Sequence, residues 1–183
     1  MRHKHVIFGG LGFIGQNLAL KLVKSNHHVL IVDINRWNLD LVFRDLRDNP
    51  LCNVLQCDII KDQNLIEQRI LDFRGECNDL IFWHLAANSD IAAGTENIGI
   101  DLNDTFLTTI SILDICEKMQ SKTLYFASSS AVYGDVPIRT AGYTENCATQ
   151  PISNYGAMKL ASEAVIRSAF QSFLDRVLIF RFP

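Results

Sequence analysis

The stretch His5-Val-Ile-Phe-Gly-Gly-Leu-Gly-Phe-Ile-Gly15 decides the fold. A short apolar run predicts a buried strand, and Phe13 to Lys24 reads as an amphipathic helix. Between and into them fall Gly9, Gly12 and Gly15. Glycines so placed permit a tight turn, close backbone approach to a pyrophosphate, and close packing of helix on strand. The helix start adds N–H groups without helical partners and a dipole that favours phosphate. A simple turn is the plain alternative. Against it stands the next strand, His28-Val-Leu-Ile-Val-Asp33, which ends in an acid where a dinucleotide site uses one. Asp33 would accept hydrogen bonds from both adenosine ribose hydroxyls and repel a 2′-phosphate, favouring NAD over NADP. Arg36 is the nearby residue that would instead bind a 2′-phosphate.

Further along, Asn53–Cys57, Leu80–Leu85, Thr123–Ser128 and Arg176–Arg181 read as strands. Helices are predicted near 38–47, 63–73 and 97–119, and another from a cap at Ser153 or Asn154 to about Phe173. Strands that are apolar throughout and alternate with helices imply a parallel sheet covered on both faces. The expected fold is α/β: a Rossmann-type doubly wound sheet in three α/β/α layers. Residues 1–183 are expected to form one NAD-binding domain. Because the chain stops on Arg-Phe-Pro183 straight after its last strand, a small C-terminal substrate domain is expected to be missing from it.

Composition narrows the classes of function. A hydrophobic fraction of 48% and a charged fraction of 20% are those of a water-soluble globular protein. A net charge of −3 gives no reason to expect nucleic acid or an anionic membrane as partner. The N-terminus carries no signal-peptide pattern and no run reaches membrane-spanning length, so a cytoplasmic location is expected. The five cysteines are scattered, with no C-x-x-C pair, so neither a metal site nor a disulfide framework is indicated. His27 and His28, adjacent at a strand start, point to opposite faces and do not form a metal pair.

Tyr155-Gly-Ala-Met-Lys159 holds the candidate chemistry. A tyrosine and a lysine four apart on a helix share a face, and an ammonium beside a phenol favours its ionisation. Taken alone, the pair is also what many helix surfaces carry. Ser128 to Ser130 would equally serve as a polar strand end, and His84, at a strand terminus, reads as a packed, hydrogen-bonded histidine.

Together these segments resemble the extended short-chain dehydrogenase/reductase family, in its NAD-dependent sugar-nucleotide epimerase/dehydratase branch, with UDP-glucose 4-epimerase as the nearest functional type. The matching residues are Gly9-Gly-Leu-Gly-Phe-Ile-Gly15, Asp58-Ile59, His84-Leu-Ala-Ala87, Ser128-Ser-Ser-Ala-Val-Tyr-Gly134 and Tyr155-Gly-Ala-Met-Lys159, in family order across essentially the whole chain. The resemblance implies that the backbone at Phe13 and Ile14 meets the pyrophosphate and that Asp58 and Ile59 contact adenine. Leu85, Ala86 and Ala87 would lie against the cofactor, and Pro183 would border the nicotinamide. In the family the catalytic hydroxyl residue stands four before the tyrosine of V-Y-G, which selects Ser129. Tyr155 and Lys159 match the catalytic pair.

Two departures matter. Where the family often has N-V-x-G-T, this chain has Asp101-Leu-Asn-Asp-Thr105, so an acid replaces an asparagine; Asn103 is the alternative substitute. A buried acid there needs a partner. Ser130-Ala131 stands where the 4,6-dehydratase branch has its acid pair, which argues against water elimination. The implied activity is nucleotide-sugar epimerisation by transient hydride transfer to bound NAD, with Tyr155 as general base, Lys159 lowering its pKa and holding the ribose, and Ser129 bonding the reacting oxygen. The expected partners are a nucleotide sugar and a second copy of the chain, paired through the helices at 97–119 and at Tyr155. Another oxidoreductase of the same branch, acting on a non-sugar alcohol, and a non-catalytic NAD-binding protein are the competing readings.

Overall fold

The computed structural model describes residues 3–35, 41–77, 79–135 and 144–183, with the backbone alone at 41–43. Six parallel strands form one sheet in the order β3-β2-β1-β4-β5-β6: β1 Lys4–Phe8, β2 His28–Asp33, β3 Cys52–Gln56, β4 Leu80–His84, β5 Thr123–Ser129 and β6 Arg176–Phe182. This is the Rossmann-type α/β arrangement, with helices on both faces. The helices are α1 Phe13–Lys24, α2 Leu41–Arg47, α3 Gln63–Arg74, α4 Ile91–Glu96, α5 Ile98–Asp101, α6 Thr108–Lys118 and α7 Asn154–Ser172. The predicted helix at 38–47 is seen only from Leu41, and Arg36, proposed for a 2′-phosphate, lies outside the described residues.

Strand period sorts the core into two layers. Val6 and Phe8 face one way, with Leu30, Phe82 and Phe126, toward Ile66 of α3, Ile112 of α6 and Ile166 of α7. Ile7, Val29 and Ile31 face the other way, toward Ala19 and Val23 of α1 and Leu46 of α2. Each fully buried side chain of this kind contributes about 1.5–3 kcal/mol. Among the described residues, edge strand β6 is covered on one face only, where Val177 and Ile179 join the first layer; Leu178, Phe180 and Phe182 are exposed on the other.

The helix expected near 97–119 is more complicated than its sequence suggests. Asn97 has extended backbone, ends α4, and caps α5 by accepting from the Gly99 N–H at 2.9 Å. Residues Leu102–Leu107 are then π-helical before α6 resumes. Side chains compete with the helix ladder here: Asn103 Nδ2 donates to the Gly99 carbonyl at 2.7 Å, and the Thr108 and Thr109 hydroxyls donate to the Asn103 and Thr105 carbonyls. The wide turn brings Asp101, Thr105 and Thr109 onto the buried side.

Strand order reverses between β1 and β4, and the crevice outside the carboxyl ends of strands at such a point is where ligands bind in open α/β sheets. The chain leaves β1 into the glycine turn, with Gly9 N–H bonded to the Val32 carbonyl and Leu85 N–H to the Phe8 carbonyl.

Candidate functional site

Gly9 turns with φ +77°, and a Cβ there would sit 2.5 Å from the Ala86 nitrogen, so only glycine fits. A Cβ on Gly15 would fall 2.5 Å from the Gly10 Cα, which fixes how closely α1 approaches the turn. Gly10, passed over in the sequence, is also confined, since a Cβ there would fall 2.7 Å from the Ile31 side chain. Gly12 differs. A Cβ there would meet nothing closer than the Gly9 carbonyl oxygen at 3.5 Å, an ordinary contact, so the protein itself does not require glycine at this position. Gly12 borders the cleft, and its bare backbone leaves room there for a ligand.

Asp33 is buried at the end of β2. Its Oδ2 accepts from the Leu11 N–H at 2.8 Å and its Oδ1 from the Asn35 N–H at 2.9 Å, so the acid closes the glycine turn while still bordering the cleft. The cleft has a volume of about 720 Å³ and runs from Gly9, Gly12 and Asp33 past Asp58 and Ile59 to Leu85, Ala86 and Ala87. Asn88 and Ser89 extend it, and Asn103 also lines it. Asp58 accepts from the Ile60 and Lys61 N–H groups and pairs with Lys61 Nζ at 2.8 Å; the Lys61 bond leads in holding its carboxyl below the usual range. Phe13 and Ile14 do not line the cleft through their side chains, which are exposed; what they offer is the first-turn N–H groups of α1, where no side chain caps the helix.

Tyr155 and Lys159 lie on α7 against the carboxyl end of β5, the strand that ends in Ser129, and none of the three lines the cleft above. Ser153 caps α7, accepting from the Gly156 N–H at 3.0 Å. Gly156 presses on the turn after β5, where a Cβ would lie 2.5 Å from the Ala131 carbonyl oxygen. The Ala131 N–H in turn donates to Ser129 Oγ at 3.1 Å. Lys159, on the same helix, is 2% exposed and donates from Nζ to the Ala127 carbonyl at 2.7 Å, two residues before Ser129. Its Nζ lies 5.6 Å from the Tyr155 ring centre and 4.8 Å from that of Phe126.

The electrostatics reverse one expectation. Burial draws the Lys159 pKa down to about 7, so it is not a full fixed charge at neutral pH. The Tyr155 phenol is pushed up, first by burial and then by the Asp101 charge, where the sequence led us to expect lowering by Lys159.

The Glu163 cluster and the partners of His84 and Asp101 escaped the sequence reading. Glu163, one turn beyond Lys159, accepts from Ser128 at 2.7 Å, from Arg181 at 2.8 and 2.9 Å, and from Arg167 at 2.8 Å. Burial opposes its ionisation, but these donors outweigh that and hold its carboxyl below the usual range. Arg181 also donates to the Tyr133 hydroxyl at 2.9 Å, binding the V-Y-G turn to β6. His84 packs as expected, its Nε2 2.8 Å from Thr109 Oγ1, which in turn lies 2.9 Å from Ser162 Oγ. Burial and the nearby Lys159 keep the His84 ring neutral. Asp101 is the third case: Asn88 Nδ2 donates to its Oδ1 at 2.8 Å.

Among the described residues no helix is long and apolar enough to cross a membrane, and no group of three or more His, Cys, Asp or Glu is placed to hold a metal ion.

The sequence model of the NAD dependent epimerase/dehydratase family matches residues 5–183. A putative UDP-glucose 4-epimerase of Methanocaldococcus jannaschii is 30% identical over 167 residues, covering 88% of this chain and 49% of that protein. The D-erythronate dehydrogenase of Haemophilus influenzae is 31% identical over 180 residues, 96% of this chain and 53% of that one. Among solved structures, the UDP-glucose 4-epimerase of Brucella ovis in complex with NAD superposes with a TM-score of 0.81 at 23% identity, covering 98% of this chain and 52% of that one. The chain thus spans about half the length of the curated relatives it matches.

Proposed function

The chain belongs to the NAD-dependent epimerase/dehydratase family, and from that premise we propose that it carries the cofactor-binding and catalytic residues of a nucleotide-sugar epimerase working with bound NAD. The observation that carries this reading is the placement of Tyr155 and Lys159 on α7 against β5, the strand whose last residue is Ser129, in a sheet whose switch-point cleft is bordered by Asp33.

The residues present fit the dinucleotide. Gly12 leaves bare backbone where a pyrophosphate would approach, and the uncapped first turn of α1, at Phe13 and Ile14, offers N–H groups to it. Asp33 would take the adenosine ribose, Asp58 and Ile59 the adenine, and Leu85 to Ala87 would lie along the cofactor. Bound NAD supplies a reversible acceptor for hydride from a sugar carbinol carbon.

The chain's own contribution is proton handling and alignment. Tyr155 takes the proton of the reacting hydroxyl and returns it at the end of the cycle. Ser129 bonds that same oxygen and fixes its position. Lys159, moored to Ala127, holds the nicotinamide ribose and shares the Tyr155 side of α7. Ser130-Ala131 offers no carboxyl group beside Ser129, which favours epimerisation over water elimination. The match to a dehydrogenase supports a second reading, oxidation of a non-sugar alcohol by the same residues. Exposed Ile98, Leu102, Leu107 and Ile110 support pairing with a second copy through the α5–α6 segment.

Incubating the full-length protein with NAD and UDP-, GDP-, CDP- and dTDP-sugars tests the proposal. Interconversion of two epimers without net NADH is the expected result. Stoichiometric NADH from a non-sugar alcohol would favour the second reading, and NAD binding without any turnover would overturn both.

A further inference from the structure

Ser128 stands one residue before Ser129 and is 3% exposed. Its hydroxyl donates to Glu163 Oε1 at 2.7 Å. One residue earlier, the Ala127 carbonyl accepts from Lys159 Nζ at 2.7 Å. Glu163 follows Lys159 by four residues on α7, so the two side chains leave the helix on one face. Two consecutive residues of β5 are thus bonded to two successive turns of the helix that carries Tyr155. Lys159 has a second assignment, to the nicotinamide ribose, whereas the bond between Ser128 and Glu163 serves only the protein.

The same carboxylate reaches past Ser129. Glu163 accepts from Arg181 Nε at 2.9 Å and Nη2 at 2.8 Å, and Arg181 Nη1 donates to the Tyr133 hydroxyl at 2.9 Å. Tyr133 follows the short turn Ser130–Val132. Ser129 therefore lies between two anchors to one carboxylate, Ser128 before it and Tyr133 after it. A third contact comes from Gly156, next to Tyr155, which is pressed against the Ala131 carbonyl oxygen. Inside the turn Ser129 Oγ accepts from the Ala131 N–H at 3.1 Å, which leaves the Ser129 proton available for donation. A buried charged cluster is commonly no more stabilising than apolar groups of the same volume. Its directional bonds do what apolar packing does not, and stop the strand end from sliding along the helix.

We propose that Ser128 and Glu163 are positioning residues that clamp the end of β5 to α7 and so hold the Ser129 hydroxyl in a fixed relation to Tyr155. The inference rests on the assignment of Ser129 and Tyr155 as the groups that meet the reacting oxygen. Glu163 is fully buried and Ser128 nearly so, and both act through Ser129 rather than on a ligand.

Ser128→Ala tests the clamp in the full-length protein, at a temperature where the variant is folded. Hydrogen exchange of isotope-labelled alanine amides reads the place of Ser129 without turnover, since the Ala131 N–H is held by Ser129 Oγ. Exchange at Ala131 is expected to quicken about tenfold or more in Ser128→Ala, while that of buried Ala19 in α1 stays as in the parent. With NAD and the accepted nucleotide sugar, kcat is expected to fall about tenfold with KM within about twofold of the parent. Ser128→Thr, which keeps the hydroxyl, is expected to recover most of that loss. In a Ser129→Ala background the Ser128→Ala change is expected to lower kcat no further, whereas a merely structural role would cost the same in both backgrounds. Should Ser128→Ala not fold, Ser128→Cys, of similar size and with a weaker donor, is read by the same criteria. Unmoved Ala131 exchange in the folded variant, or an equal loss of kcat in the Ser129→Ala background, would overturn the proposal. Faster Ala131 exchange in a protein that turns over no nucleotide sugar upholds the clamp and removes the functional reading. Unmoved exchange in an active epimerase removes the clamp alone.

Discussion

Lys159 donates from Nζ to the Ala127 carbonyl at 2.7 Å, tying the helix that carries Tyr155 to the strand that ends in Ser129. The bond positions the ammonium at the cost of burying it. Its pKa of about 7 in the fold, against 10.5 ordinarily, means that the folded state resists the charged form. With the folded value depressed, the penalty is complete below pH 7 and is relieved as pH rises toward 10.5, because over that range the unfolded chain binds the extra proton. Lys159→Met removes the titration. In urea unfolding, the stability of the variant relative to the parent is expected to be most favourable below pH 7 and to decline steadily toward pH 10. A pH-independent difference would contradict the burial cost.

Gly9 and Gly12 separate structural from ligand-driven demands in the same turn. Gly9→Ala forces a left-handed backbone and a clash with Ala86, and is expected to destabilise the fold by about 1–3 kcal/mol. Gly12→Ala has room within the protein, so its melting temperature should match the parent while its NAD affinity falls at least tenfold. Calorimetric titration beside thermal unfolding distinguishes the two. Equal NAD affinity in Gly12→Ala would remove Gly12 from the cofactor site.

Asp33 has two duties, closing the turn through Leu11 and receiving a ribose. Asp33→Asn keeps acceptor capacity at Leu11 but loses the charge that repels a 2′-phosphate. The ratio of NAD to NADP affinity is therefore expected to drop about tenfold or more. An unchanged ratio would show that Asp33 does not set cofactor preference.

Glu163→Gln leaves the Arg181 guanidinium with no carboxylate at that position. Breaking a buried pair by removing one partner costs about 3–5 kcal/mol. Chemical denaturation should show a loss of that order, and a loss below about 1 kcal/mol would place the Glu163 cluster among merely superficial ion pairs.

The sheet and the cofactor turn were legible because each rests on local pattern. The apolar runs of β1, β2 and β4 have no other use than a sheet covered on both faces, and the acid of Asp33 lies at a strand end fixed by that same period. The Tyr155 and Lys159 pair was legible from helical spacing. What escaped depends on contacts between segments. Gly94 and Asp101 meet because Asn97 breaks the helix between them, and nothing in the spacing of the two announces that break. Glu163 finds Arg181 across the sheet edge, where no periodicity reaches. The upward shift of the Tyr155 phenol comes first from burial and then from Asp101, and the spacing of Tyr155 and Lys159 shows neither.

The central claim is that Tyr155 is the proton-transfer group of an NAD-dependent epimerase. The most direct measurement compares the full-length protein with its Tyr155→Phe variant for turnover of the accepted nucleotide sugar and for NAD affinity in parallel. The account predicts a loss of turnover of about 10²–10⁴-fold with NAD affinity within threefold of the parent. Turnover near the parent's in a variant that still binds NAD would contradict it.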